Sequence, residues 1–69
     1  MEKITNAQLI ARLRGTGKVY MPIVSAQDVV HLAVEKAMLI AYLRGLAPTD
    51  ACQWAIYADY EHAVYLDVA

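Results

Sequence analysis

The chain has 69 residues, of which 59% are hydrophobic and 19% charged, and its formal net charge is -1. This length allows one small domain over residues 1–69 and excludes a multidomain protein, while the apolar content excludes intrinsic disorder. The net charge argues against direct binding of nucleic acid, which requires a basic surface.

The hydrophobic content is high for a protein with so little interior. A small protein exposes a larger share of its surface to water than a large one does, and must cover that surface mainly with polar groups. We therefore expect part of the apolar surface to be buried in a homodimer or in a binding interface.

The first segment, Met1 to Arg14, carries the signals of a short helix. Thr5 is a suitable N-cap, and Gln8 three residues later completes a capping box. Gly15 follows the last apolar position and ends the segment. An isolated helix of this length is marginal in water, so its leucines must pack on the rest of the protein.

The next segment, Lys18 to Val24, is predicted to be extended. Pro22 disfavours helix in the residue before it and cannot donate to a central sheet ladder. The segment is an edge strand or a linker, and pairing between two copies across a dimer axis is a further option.

The segment from Ser25 to Arg44 has the pattern of a central helix of about five turns. Ser25 and Asp28 are typical of a capping box, and Gly45 is typical of a helix end. Its apolar positions cover most of the circumference, which indicates burial on several sides. The positions that we assign to the core or to dimer contacts are Val30, Val34, Leu39, Ile40 and Leu43.

A second long helix is predicted from about Asp50 to Tyr65, after a short connection that forces it back antiparallel to the first. The sequence therefore predicts an all-α fold. It consists of a short N-terminal helix, an extended linker and a long antiparallel helical hairpin, and it forms a homodimer.

Two stretches of the chain resemble each other. Residues 7–15 are AQLIARLRG and residues 37–45 are AMLIAYLRG, with seven of nine positions identical. The contexts upstream differ, and leucines followed by Arg and Gly are common at helix ends, so we favour shared end chemistry over duplication.

Aromatic and acidic residues recur along the predicted last helix. Trp54, Tyr57, Glu61 and Tyr65 would share one face, and Asp59 lies nearby. Tyrosine and tryptophan bury large areas at small entropy cost and keep a hydrogen-bonding group, so we assign these five residues to partner binding. The alternative is that this stripe is core or dimer packing.

The sequence contains no recognisable motif for catalysis, and we expect no cofactor or metal ion. His31 and Glu35 lie one helical turn apart, but two ligands do not make a metal site. Cys52 is the only cysteine, which favours a reducing cytoplasm. No apolar run approaches the roughly 20 residues of a membrane span, so we expect no contact with a membrane.

From MEKITNAQLIARLRG through VVHLAVEKAMLIAYLRG to QWAIYADYEHAVYLDVA, the chain resembles the small anti-quorum-sensing anti-activators of Mu-like temperate phages. The resemblance rests on overall length and character rather than on a motif. It implies an inhibitor that binds a host LuxR-type transcriptional activator, LasR, and also blocks the type IV pilus assembly ATPase, PilB. The alternative is a structural or assembly subunit.

Overall fold

Four strands and two helices make up the computed structural model, which describes residues 1–60 and 62–69. In chain order they are α1 (Asn6–Arg14), β1 (Lys18–Val24), β2 (Val29–Val34), α2 (Lys36–Arg44), β3 (Trp54–Tyr60) and β4 (Ala63–Val68). The strands form one sheet in the order β2-β1-β4-β3, with β1 parallel to β4 and the other pairs antiparallel. The predicted all-α fold and its helical hairpin are wrong, because the protein is a small α+β structure.

Both helices pack against one face of the sheet. The buried apolar side chains of this core are Leu9, Leu13, Val19, Leu39, Leu43, Cys52, Ile56, Val64 and Leu66. Side chains alternate between the two faces of a strand. The strand neighbours of Val19 and Val64 therefore lie on the opposite face, which neither helix covers.

The predicted start of the first helix is confirmed. The Thr5 hydroxyl accepts a hydrogen bond from the Gln8 N–H at 3.2 Å, and the Gln8 side chain accepts one from the Thr5 N–H at 2.9 Å. These two bonds complete the capping box, and Gly15 follows the last helical residue.

Asn6, the first residue of α1, ties this helix to the loop after α2. Its side chain is 3% exposed and donates from Nδ2 to the Ala47 carbonyl at 2.8 Å. The backbone N–H groups of Asn6 and Ala7 donate to the carbonyls of Asp50 and Pro48, each at 3.0 Å. Loop carbonyls thus bind N–H groups that have no partner inside the helix.

The predicted helix from Ser25 to Arg44 is wrong in its first half, where the chain forms a turn and β2. The Ser25 hydroxyl accepts a hydrogen bond from the Asp28 N–H at 3.1 Å, as an N-cap would. Here that bond closes the β1–β2 hairpin, because the Ser25 N–H also donates to the Asp28 carbonyl at 2.9 Å. Valines then favour a strand, and α2 begins only at Lys36.

The predicted helix from Asp50 to Tyr65 is wrong for all of its described residues, because this part of the chain contains β3 and the start of β4. Val64 and Leu66 are buried while Tyr65 between them faces the other way, which is the two-residue period of a strand. The aromatic stripe with helical spacing therefore does not exist as a single surface.

The prediction that Lys18 to Val24 is extended is confirmed. This segment is β1, an interior strand that has β2 on one side and β4 on the other. Val19 and Tyr20 are paired on both sides within the chain, so this stretch is neither a linker nor an edge open to a second copy.

The two similar stretches correspond to α1 and α2, each nine residues long. Leu9 and Leu13 of α1 are buried, and so are the equivalent Leu39 and Leu43 of α2. The two helices contact each other, and a β-hairpin follows each of them in the chain. The likeness thus extends from the helix ends to the positions that form the core.

The residues assigned to the core or to dimer contacts divide into two groups. Leu39 and Leu43 are buried, and Ile40 packs against the same core. Val30 and Val34 lie on β2 and are 47% and 38% exposed. The second group is therefore more accessible to another molecule than the first, in which Ile40 is partly buried.

We expect Asn6→Ala to lower the free energy of unfolding by about 1–2 kcal/mol, because it removes a part-buried hydrogen bond and leaves the Ala47 carbonyl with only the longer bond from the Asp50 N–H at 3.2 Å. Urea unfolding followed by circular dichroism measures this change. Gln8→Ala is the control, because its capping bond is exposed and its loss should cost less. Equal losses for the two variants would contradict the role assigned to Asn6.

Candidate functional site

The sheet face opposite the helices carries a cluster of aromatic side chains, which we call the tyrosine face. Its members are Tyr20, His31, Tyr57, Tyr60 and Tyr65. Tyr20 follows the buried Val19 in β1, and Tyr65 lies between the buried Val64 and Leu66 in β4. Strand alternation therefore places both rings on the face without helices.

The rings of this face contact one another. Tyr20 and Tyr65 are stacked with ring centroids 4.5 Å apart, and His31 is stacked on Tyr57 at 5.7 Å. Tyr65 also meets His31 and Tyr60 edge to face, in each case at 5.7 Å. These contacts hold the rings in place, yet Tyr57 and Tyr60 remain 60% and 65% exposed.

A β-bulge in β3 determines which side chains join the tyrosine face. Ile56 pairs with Leu66 but Ala58 pairs with Tyr65, so Tyr57 is the extra residue of the bulged strand. An extra residue shifts the alternation of side chains beyond it. Tyr57 and Tyr60 consequently lie on the same face, although they are three residues apart.

His31 is held by a hydrogen bond that crosses the sheet. Its Nε2 donates to the Leu66 carbonyl at 3.0 Å. The Lys18 N–H donates to the His62 carbonyl of the parallel neighbouring strand. Along a parallel ladder every second residue donates in this way. The residue of β1 whose N–H should donate to the Leu66 carbonyl is therefore Pro22. Proline has no N–H. His31, which lies opposite Pro22 in β2, supplies the missing donor.

Arg12 of α1 forms ion pairs on the other side of the sheet. It binds the Glu2 carboxylate at 3.0 Å and also binds the carboxylate of Asp59. The hydrogen bonds to Asp59 and to Glu2 raise the pKa of the Arg12 guanidinium, which remains charged. The charge of Asp59 is therefore paired on the face opposite the tyrosine face.

A groove of about 300 Å³ lies beside this ion pair, lined by Glu2, Ile4, Gln8, Ala11 and Arg12. The two charged residues of its lining bind each other, so neither offers an unpaired charge to a ligand. Within residues 1–60 and 62–69, no group of three or more His, Cys, Asp or Glu side chains is placed to hold a metal ion. The tyrosine face is therefore the stronger candidate site.

The helices in this described part of the chain are all too short or too polar to cross a membrane.

The structure separates the five residues predicted to bind a partner. Tyr57 and Tyr65 lie together on the tyrosine face. Trp54 is half-buried against the core on the helix side, where Asp59 also lies. Glu61 lies outside the described residues.

Three members of the tyrosine face were missed by sequence reasoning, namely Tyr20, His31 and Tyr60. The signal that identifies Tyr20 is its place between Val19 and Met21, which both contact the core. The same alternation in β4 marks Tyr65. No sequence signal identifies Tyr60, because its side of the sheet depends on the bulge.

Comparisons of the chain with protein-family models, with curated proteins and with solved structures find no match. The resemblance to phage anti-activators therefore stays a prediction.

We expect His31→Phe to lower the free energy of unfolding by about 1–3 kcal/mol, because the ring can still stack while the Leu66 carbonyl loses its donor. Adding Pro22→Ala restores a backbone N–H at the position that faces this carbonyl. The double variant should therefore recover part of the loss, as measured by urea unfolding of the two single variants and the double variant. If the changes in the free energy of unfolding are additive in this double-mutant cycle, the substitutions at Pro22 and His31 do not act on the same carbonyl.

Proposed function

We propose that the chain is a non-catalytic binding protein that uses the tyrosine face to cover a functional surface of a partner protein. The proposal rests on the exposure of Tyr57 and Tyr60 at a sheet face that neither helix covers. Tyrosine gives large contact area with few rotatable bonds and keeps a hydroxyl for hydrogen bonding. The ring contacts also hold the face in one arrangement, which reduces the entropy cost of binding.

The chemistry of the face favours a protein partner over a nucleic acid. Proteins that bind single strands combine aromatic rings with a positively charged groove. Lys18 is the only Lys or Arg within the four described strands, and strand alternation places Asp67 on the same face. Tyr20 and Tyr65 also stack on each other, so one face of each ring is not available to a base.

The first partners to test are those that the resemblance implies. They are a LuxR-type transcriptional activator and the type IV pilus assembly ATPase, both in the cytoplasm of a bacterial host. Inhibition would require only that the chain occupy a surface that the partner needs. Asp59 is already paired with Arg12, so this version of the proposal relies on aromatic contacts rather than on mimicry of a phosphate.

We expect Tyr57→Ala and Tyr60→Ala each to weaken partner binding by about 2 kcal/mol, or roughly thirtyfold in Kd, if these rings are the anchors of the interface. Isothermal titration calorimetry with a purified LuxR-type activator measures this change, and the same titration with the pilus ATPase tests the second partner. Circular dichroism of each variant should match that of the wild type, because both side chains are mostly exposed.

Tyr42→Ala provides the matched control, because Tyr42 lies on α2 and is 52% exposed. It should leave binding unchanged. Asp59→Asn should also have little effect on the affinity, whereas a charge-mimicry mechanism requires a large one. The proposal fails if neither partner binds, or if Tyr42→Ala weakens binding as much as Tyr57→Ala does.

A further inference from the structure

The two outer edges of the sheet differ in their protection. At β3, Glu2 and Ile56 exchange two backbone hydrogen bonds of 2.9 Å, and the bulge after Ile56 interrupts the strand. At β2, the six residues Val29–Val34 contain no proline, no Lys or Glu and no irregularity in their pairing with β1. Natural proteins normally protect a regular apolar edge strand from pairing with other chains. Among the described residues, the outward groups of the β2 edge have one such protection, at its first residue, where the Val29 N–H donates to the Asp28 carboxylate at 2.8 Å.

Apolar side chains surround this edge. Six apolar side chains of the β1–β2 hairpin are 38% to 72% exposed, namely Ile23, Val24, Val29, Val30, Leu32 and Val34. They lie on both faces of the hairpin, and the four that belong to β2 itself, Val29, Val30, Leu32 and Val34, expose on the order of 300 Å². Two copies bring about 600 Å² of this apolar surface to the pairing, and the backbone of the two edges adds to it toward the roughly 1,000 Å² of total buried surface that a specific interface requires.

We propose that β2 pairs with β2 of a second copy in antiparallel orientation, so that two four-stranded sheets become one sheet of eight strands. The edge shares His31 with the tyrosine face but uses its backbone rather than its ring, and the proposal does not depend on the function proposed above. A second copy fits because the edge is complementary to itself, both in its backbone groups and in its side chains.

The register of the hairpin determines which backbone groups point outwards. Ser25 and Asp28 form a hydrogen-bonded pair next to the turn. Hydrogen-bonded and non-hydrogen-bonded pairs alternate along an antiparallel ladder, so Val29, His31 and Ala33 direct their N–H and C=O groups away from β1. A twofold axis at His31 places Val29 opposite the partner's Ala33, so the outward groups pair across the axis. The Val29 N–H, which donates to Asp28 Oδ1 at 2.8 Å in the single chain, exchanges this bond for one to the partner's Ala33 carbonyl.

The same axis brings apolar side chains together. Val30 lies opposite the partner's Leu32, and Leu32 lies opposite the partner's Val30, on the side of the sheet that carries the helices. Such cross-strand apolar pairs stabilise a sheet. The His31 ring does not obstruct the edge, because it turns inwards to the Leu66 carbonyl.

Sedimentation velocity at micromolar concentration tests the proposal on the full chain. We expect the wild type to have twice the 7.7 kDa mass of one chain. Ala33→Pro removes an outward N–H without breaking a bond to β1, and Leu32→Lys places a charge in the interface, so both should be monomers with unchanged circular dichroism. Val68→Lys is the control, because Val68 is 62% exposed but lies on β4, and it should remain a dimer.

A monomeric wild type would overturn the proposal, as would Leu32→Lys and Ala33→Pro variants that both remain dimers. If either variant loses its strand signal, the other decides the result.

Disulfide cross-linking tests the register. In a Cys52→Ala background, Val30→Cys combined with Leu32→Cys should give an oxidised dimer on a non-reducing gel, because the two positions face each other across the axis. Val30→Cys alone should give much less. Efficient cross-linking by Val30→Cys alone would overturn the axis at His31.

Discussion

The structure depends on a short parallel pairing between β1 and β4, because among the described residues this pairing joins the two hairpins into one sheet. It spans three residue pairs. Its middle pair, Val19 and Val64, is buried beneath the helices, and its last pair, Tyr20 and Tyr65, is stacked on the opposite face. One ladder therefore positions both the core and the candidate site.

Pro22 ends this ladder, and the structure compensates by using a side chain from the next strand. The backbone of His31 belongs to the outer strand β2, while its imidazole reaches the carbonyl of Leu66 and packs against Tyr57. A residue of the sheet edge thus supports the rings of the tyrosine face. The β2 edge and the tyrosine face are linked through His31 because Pro22 has no N–H to donate to the Leu66 carbonyl.

Sequence reasoning succeeded where local chemistry allows a single outcome. The capping box of Thr5 and Gln8 begins a helix, and Pro22 lies in an extended segment, both as predicted. It failed at Ser25, because a hydroxyl that accepts from the N–H three residues later can begin a helix or close a hairpin turn. The same four residues satisfy both patterns, and only the strand that follows distinguishes them.

The wrong prediction of helix over Val29–Val34 and Trp54–Tyr60 has a different cause. In Val29–Val34 nearly every residue is apolar, so neither a helical nor a strand period stands out, and the β-branched valines were the better guide. In Trp54–Tyr60 the bulge breaks the two-residue period at Tyr57. The candidate site was therefore only partly predictable. The chemistry of Tyr57 and Tyr65 predicts that they bind a partner, whereas their grouping with Tyr20 and His31 depends on strand pairing between distant parts of the chain.

The positions of the β2 edge and the tyrosine face relative to each other bear on the affinity proposed for a partner protein. In the proposed dimer, a twofold axis through the β2 edges and perpendicular to the sheet leaves both tyrosine faces on the same side of the eight-stranded sheet. Two such faces can engage a partner that presents two copies of its binding surface. The second contact then forms at the high effective concentration set by the first, and the gain in affinity requires no additional residue in either face. The proposed pairing at the edge and the proposed binding at the face are therefore testable by separate mutations, although both would contribute to the affinity for a dimeric partner.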